Sequence, residues 1–304
     1  MGLKSSGSVF LTKGSCKGMN SNRYNPPLTL TPAIATRLAE IAEAVGRVAA
    51  RLEEVGSLRL RRVNRVRTIH GSLAIEGNTL SEEQITAILE GRRVLAPPRE
   101  VQEVRNALAA YDQLPGWQPA VSNDLLAAHR TLMSGLADDA GQWRRGGVGV
   151  MSGTQVVHMA PPADRVPLLM DQLLHWLSGT DLHPLIASSV FHYEFEFIHP
   201  FSDDNGRLGR LWQTLILTRW HPLFADIPVE SLIHAHQADY YRAIRESTRQ
   251  SDGAPFVDFM LRMILDALAE SGVASQESGQ VSDQVSDQVA TLLRLLKGEV
   301  GSPR

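Results

Sequence analysis

From about residue 29 onward, apolar residues recur at every third or fourth position for most of the chain, the period of an amphipathic helix. The stretch LTPAIATRLAEIAEAVGRVAARLEEVG opens with Thr31 as an N-cap and Pro32 at the first helical position. A second helix is predicted over 58–76, stopping at Gly77-Asn78. A third begins at Ser81, where Ser81 and Gln84 make a capping box and Leu80 and Ile85 a hydrophobic staple. Further helical segments are predicted over 98–113, 122–136, 162–178, 183–197, 205–220, 236–249 and 255–273. One stretch breaks the period: RRGGVGVMSGTQVVHMAPP carries short β-branched runs around Ser152-Gly153, the pattern of a β-hairpin. After Gly272 the chain turns polar, with the direct repeat SDQVSDQV, and closes on one short amphipathic segment, VATLLRLLKGEV.

The predicted fold class is therefore mainly α, with one hairpin and loops short enough for neighbouring helices to pack closely. Four segments follow: a disordered leader over 1–28, an N-terminal helical region over 29–113, a core over 114–273, and a linker with a short C-terminal helix over 274–304.

Composition narrows the class. A net charge of −3 and a pI near 6.4 leave no global footprint for nucleic acid. A single cysteine, Cys16, excludes an intramolecular disulfide framework and fits a reducing, cytoplasmic setting. No apolar run reaches the length of a membrane span. His192, His221, His234 and His236 lack zinc-site spacing and have no cysteines beside them.

The chemistry gathers in FEFIHPFSDDNGRLGRLWQTLIL, residues 195–217. Pro200 ends the preceding helix, because a residue before proline is pushed out of the α region, and this leaves His199 in a loop. Asp203, Asp204 and Asn205 are N-cap types, and Gly206 permits close backbone approach. The helix that starts there carries Arg207 and Arg210 on one face. A helix N-terminus with two arginines suits phosphates, an aspartate beside phosphates suits Mg²⁺, and a loop histidine can take a hydroxyl proton. Those parts point to nucleotidyl or phosphoryl transfer.

HPFSDDNGRLGR resembles the signature of the Fic family, His-Pro-Phe-x-(Asp/Glu)-Gly-Asn-Gly-Arg-x-x-Arg. SLAIEGNTLS resembles the family's inhibitory helix motif, the hairpin its flap, and HQADYYRAIRES the helix that follows the nucleotide site; together they span about 57–272. The resemblance implies the Fic-fold helical bundle and an adenylyltransferase that moves AMP from ATP to a Ser, Thr or Tyr hydroxyl of a target protein. His199 would be the base and Asp203 the Mg²⁺ ligand. The backbone around Asn205 and Gly206 would form the anion hole, with the Asn205 side chain on the α-phosphate, while Arg207 would hold the β-phosphate and Arg210 the γ-phosphate. Tyr240 or Tyr241 would line the adenine pocket. The flap residues Val156, Val157, His158 and Met159 would pin the target backbone. Glu76, supported by Ser72, would pair with Arg210 and inhibit in cis.

Asp204 departs from the pattern, standing where the family usually has Gly. It is expected to repel the triphosphate, to ligate metal, or to point to solvent as a cap. Other readings of the same scaffold are removal of AMP, transfer of another phosphate-linked group, and a regulatory binding protein. The partners expected are ATP and a protein target, with a homodimer open and with neither nucleic acid nor membrane.

Overall fold

The computed structural model describes residues 24–55, 58–152 and 155–271, with the side chains of 51–55 and 149–158 left aside. Helix α1 (Pro32–Val55) begins where the sequence places it, with Thr31 Oγ1 accepting from the Ile34 amide at 3.2 Å. Its stripe of Ile34, Ile41, Val45 and Val48 is buried. Helix α2 (Leu58–Ile75) stops ahead of Gly77, whose φ of +90° needs a residue without Cβ. Helix α3 (Glu82–Leu89) has both bonds of the predicted capping box, and Leu80 and Ile85 are buried in one cluster. Helix α4 (Pro98–Gln113) closes that cluster with Val104, Ala107 and Leu108.

The main core is built around a buried helix pair, α7 (Pro184–Ile198) and α8 (Asn205–Trp220). Every residue of α7 from Leu185 to Glu196 is buried, so α7 has no solvent face and its polar residues must find partners inside. Around the pair stand α5 (Ser122–Leu132), α6 (Val166–Gly179), α9 (Val229–Ala235), α10 (Gln237–Gln250) and a last helix, α11, described over 254–271. Helix α9 lies within a stretch for which the periodicity predicts no separate helix, since its seven residues are too few to show a period. Helices α2 and α9 touch backbone to backbone. A Cβ on Gly71 would lie 2.6 Å from the Glu230 carbonyl and the Ser231 amide.

The predicted hairpin is present. Strands β1 (Gly149–Ser152) and β2 (Gln155–Met159) pair antiparallel, from Gly149 opposite Met159 to Ser152 opposite Gln155, with a bulge between Val150 and Met151.

The leader ends sooner than the sequence suggests. Tyr24 donates to buried Glu194 at 2.5 Å, and the Pro27 carbonyl and Thr29 amide bond Gly253 and Asp252. Residues 24–28 therefore dock on the core, while 1–23 and the tail from 272 lie outside the described residues. Among the described residues no helix is long and apolar enough to cross a membrane.

Candidate functional site

The α7–α8 connection is held from several sides. His199 caps α7 in the left-handed region (φ 49°), its amide bonded to Phe195 at 2.8 Å. The Phe201 ring is buried and stacks on His129 at 3.7 Å between centroids. Both ends of the Asn205 amide are used on Phe201: Oδ1 accepts from its N–H and Nδ2 donates to its carbonyl, each at 2.9 Å. That closes the loop and leaves the second Nδ2 hydrogen of Asn205 for an anion beside the backbone N–H groups. Arg144 is buried among carbonyls, donating to His199 at 2.7 Å, Gly146 at 2.8 Å, Pro161 at 2.6 Å and Ile198 at 3.3 Å. It ties the base of the hairpin to the His199 loop.

Asp204 initiates α8, yet no side chain caps that helix end. Its backbone is left-handed (φ 67°, ψ 18°), a conformation that aspartate tolerates better than most residues, so it can occupy a position suited to Gly. The expectation of a solvent-facing cap is overturned: the residue is 5% exposed and its Oδ1 accepts from Arg207 Nε. Its Oδ2 is buried with no hydrogen-bond partner. Burial outweighs Arg207 and pushes the Asp204 carboxyl up to about 7.

The structure brings the sequence-predicted inhibitory residues to Arg210. Its guanidinium is fully buried and donates to Glu76 Oε1 at 2.8 Å, to the Ser72 carbonyl at 3.0 Å and to Ser72 Oγ at 3.2 Å. Gly206 makes room for this, because a Cβ there would overlap Glu76 Oε1. Arg207 faces a second carboxylate from the N-terminal helices: its Nη1 lies 3.6 Å from Glu103 Oε2, which also accepts from Asn78 at 2.9 Å. Asp203 is half exposed; its Oδ2 meets Arg99 at 3.2 Å and its Oδ1 accepts from the Asp204 amide at 2.8 Å. Thus the charged residues of the loop and of the start of α8 each face an opposite charge from inside the same chain.

Tyr240 lies in the interior, with its hydroxyl 3.1 Å from His192 Nε2 and its ring packed against Phe256 and Phe259. Tyr241 is the more exposed of the pair. Met159, at the end of β2, is exposed; the side chains of Val156, Val157 and His158 lie outside the described set. Among the described residues, no three His, Cys, Asp or Glu side chains gather as a metal site.

Sequence reasoning misses Arg144, His129, Glu103 and Glu196, all at or against the loop. Nothing in the sequence separates Arg144 from Arg145. The acids lie on helices whose burial only the packing reveals.

Residues 119–217 match the Fic/DOC family. Among curated proteins the chain is 26% identical over 270 residues to "Protein adenylyltransferase Fic" of Nematostella vectensis, covering 79% of this chain and 60% of that protein. It is 28% identical over 207 residues to the protein of that name in Drosophila grimshawi, covering 63% of this chain and 40% of that protein. The chain thus spans less than two thirds of the length of either. Among solved structures it resembles a Fic family protein from Desulfovibrio desulfuricans G20, with a TM-score of 0.81, 56% identity, and 89% of this chain and 81% of that one covered. It shares its fold with Fic-1 from C. elegans at a TM-score of 0.63 and 23% identity, over 80% of this chain and 74% of that one.

Proposed function

The chain belongs to the Fic family, and from that premise we propose that it is an adenylyltransferase, moving AMP from ATP to a Ser, Thr or Tyr hydroxyl of a target protein and restrained by its own helix α2. The observation that carries the proposal is the environment of Arg210. A fully buried guanidinium at the start of α8 is met by the Glu76 carboxylate reaching over from the turn that ends α2, with an uncapped helix N-terminus beside it. An uncapped N-terminus with two arginines is an anion site. A carboxylate on the second arginine is what a terminal phosphate would have to replace.

In the transfer, the hydroxyl oxygen of the target attacks the α-phosphorus, the bond to the bridging oxygen breaks, and pyrophosphate leaves. His199 takes the hydroxyl proton at the loop entrance. The backbone N–H groups at Asn205 and Gly206 face the α-phosphate, Arg207 takes the β-phosphate and Arg210 the γ-phosphate once Glu76 withdraws. Asp203, half exposed and presenting hard oxygen donors next to that site, fits a Mg²⁺ held jointly with phosphate oxygens. When bound, the metal offsets the charge of the phosphates. The hairpin edge offers backbone pairing to the target segment, and Tyr241, the more exposed of the two tyrosines, is assigned to the adenine side.

The test uses Glu76→Gly with isotopically labelled ATP, reading self-labelling and labelling of a cell lysate by mass spectrometry. Added AMP on hydroxyl side chains, lost in the Glu76→Gly/His199→Ala double variant, is the expected result. No label from ATP in a folded Glu76→Gly protein would overturn the reading.

A further inference from the structure

Helix α7 carries a buried carboxylate that the transfer scheme leaves without a role. Glu196 is 5% exposed, one turn before His199, and its Oε2 lies 3.8 Å from His199 Nδ1. Its Oε1 is buried with no hydrogen-bond partner. Gly209 makes the space, since a Cβ there would come 3.0 Å from Glu196 Oε1. A carboxylate buried this way needs a partner.

The groups around it differ in what they can offer. His192 Nε2 is 3.8 Å from Oε1, but its Nδ1 meets Gln213 at 2.6 Å and its Nε2 meets the Tyr240 hydroxyl at 3.1 Å. Burial pushes the His192 imidazole down to about 3, so it stays neutral. On α8, Arg210 gives its hydrogen bonds to Ser72 and Glu76; its Nη1 is buried without one, and its charge favours the ionised Glu196 with no hydrogen bond between them. Tyr240 of α10 is engaged with His192, and Glu76, in the turn after α2, and Asp204 are themselves acids. His199 is the group within reach that gains positive charge during the reaction.

We propose that Glu196 is the positioning residue of the transfer site, accepting the Nδ1–H of His199 so that Nε2 presents its lone pair to the target hydroxyl. This rests on His199 being the base. As the hydroxyl proton arrives on Nε2 the ring becomes an imidazolium, and that charge draws in the carboxylate across a gap about 1 Å longer than a hydrogen bond. The proton then leaves Nε2 for water and the pair resets. Glu196 must be ionised to do this. Protonated, it would donate to Nδ1 and place the ring hydrogen on Nε2, where the base needs a lone pair. Burial pushes Glu196 up to about 8, with Arg210 opposing and Glu76 and Asp204 adding to the rise.

The experiment compares Glu76→Gly with Glu76→Gly/Glu196→Gln and Glu76→Gly/Glu196→Asp. It reads self-labelling from pH 6 to 9.5, ATP affinity by calorimetry, and the His199 ring nitrogens by ¹⁵N NMR, assigned against His199→Ala. Glu196→Gln is expected to keep ATP affinity, to lose about tenfold or more of the labelling rate, within the roughly 10²–10⁴ that a base supplies, and to flatten its rise with pH. In the same variant the His199 pKa falls and the ring moves to the Nε2–H tautomer, and Glu196→Asp restores part of both. Unchanged His199 nitrogens, or unchanged labelling and pH profile, in Glu196→Gln overturn the proposal. If the Gln variant does not fold, the parent decides: an Nδ1–H ring above pH 8 supports the proposal and an Nε2–H ring overturns it. If the parent transfers nothing at any pH, the transfer reading fails, and the ring spectra still report whether Glu196 sets the tautomer.

Discussion

Replacing Asp204 by Gly, in a Glu76→Gly background, should tighten ATP binding. In the folded chain the Asp204 carboxylate sits on Arg207 Nε, the group expected to hold the β-phosphate. An anion must displace that contact, and a hydrogen bond to a charged group contributes about 1.5–3 kcal/mol. Repulsion points the same way: two unit charges about 5 Å apart at an effective dielectric near 20 cost roughly 3 kcal/mol, reduced by Mg²⁺ and solvent. With each ~1.4 kcal/mol a factor of ten, affinity should rise by roughly 10- to 100-fold. The backbone will not confound the result. Gly adopts φ 67° freely, and its extra unfolded-state entropy costs about 0.5–1 kcal/mol, set against removal of a buried, half-satisfied carboxylate. Calorimetric titration of Mg·ATP into both proteins reads the change directly, with self-labelling as the second measurement. An affinity that stays level or falls, in proteins of equal melting temperature, refutes the argument. A simultaneous loss of Mg²⁺ dependence would mark Asp204 as a metal ligand.

Other consequences can be measured on the free protein. Gly71→Ala should destabilise by about 1–3 kcal/mol, because its Cβ would meet the α9 backbone, which cannot rotate aside, whereas Gly46→Ala on the open face of α1 should stabilise by about 0.5–1 kcal/mol; urea unfolding midpoints check both. Arg144→Met should cost at least about 3 kcal/mol in the same assay, since it orphans carbonyls of the His199 loop and the hairpin base. Glu196 is neutral when folded over a range where the unfolded chain is ionised, so its contribution is present below about pH 4.5 and lost as pH rises through about 8. The melting temperature should therefore fall between pH 5 and 9, with an upper limit of ~5 kcal/mol from this group, and Glu196→Gln should flatten that fall; an identical pH dependence in both proteins would count against the burial argument.

The sequence by itself determined the long helices, though not the seven-residue α9, and the motif. Thr31-Pro32, the Ser81–Gln84 box and the β-branched runs of the hairpin are local signals, read from nearest neighbours, and the helix start, the capping box and the paired strands follow them. The motif residues are contiguous for the same reason: a loop and the helix start after it are a local unit, so His199 through Arg210 were legible together. Glu76 was legible only through the resemblance to a known motif, because the contact with Arg210 joins residues 134 positions apart. What tertiary structure alone decided is which charges meet out of water. Asp204 reads in sequence as a cap, but the left-handed turn and the packing of the loop aim it at Arg207 instead. Glu196 reads as one of two acids in an apolar helix. Its role depends on α7 being covered on every side and on Gly209 leaving it room. Arg144 is one arginine of a pair until four carbonyls converge on it. Hydrophobic period and cap chemistry act over a few residues, so they can be read along the chain. Desolvation and charge pairing act through space, between segments whose meeting the folded core determines.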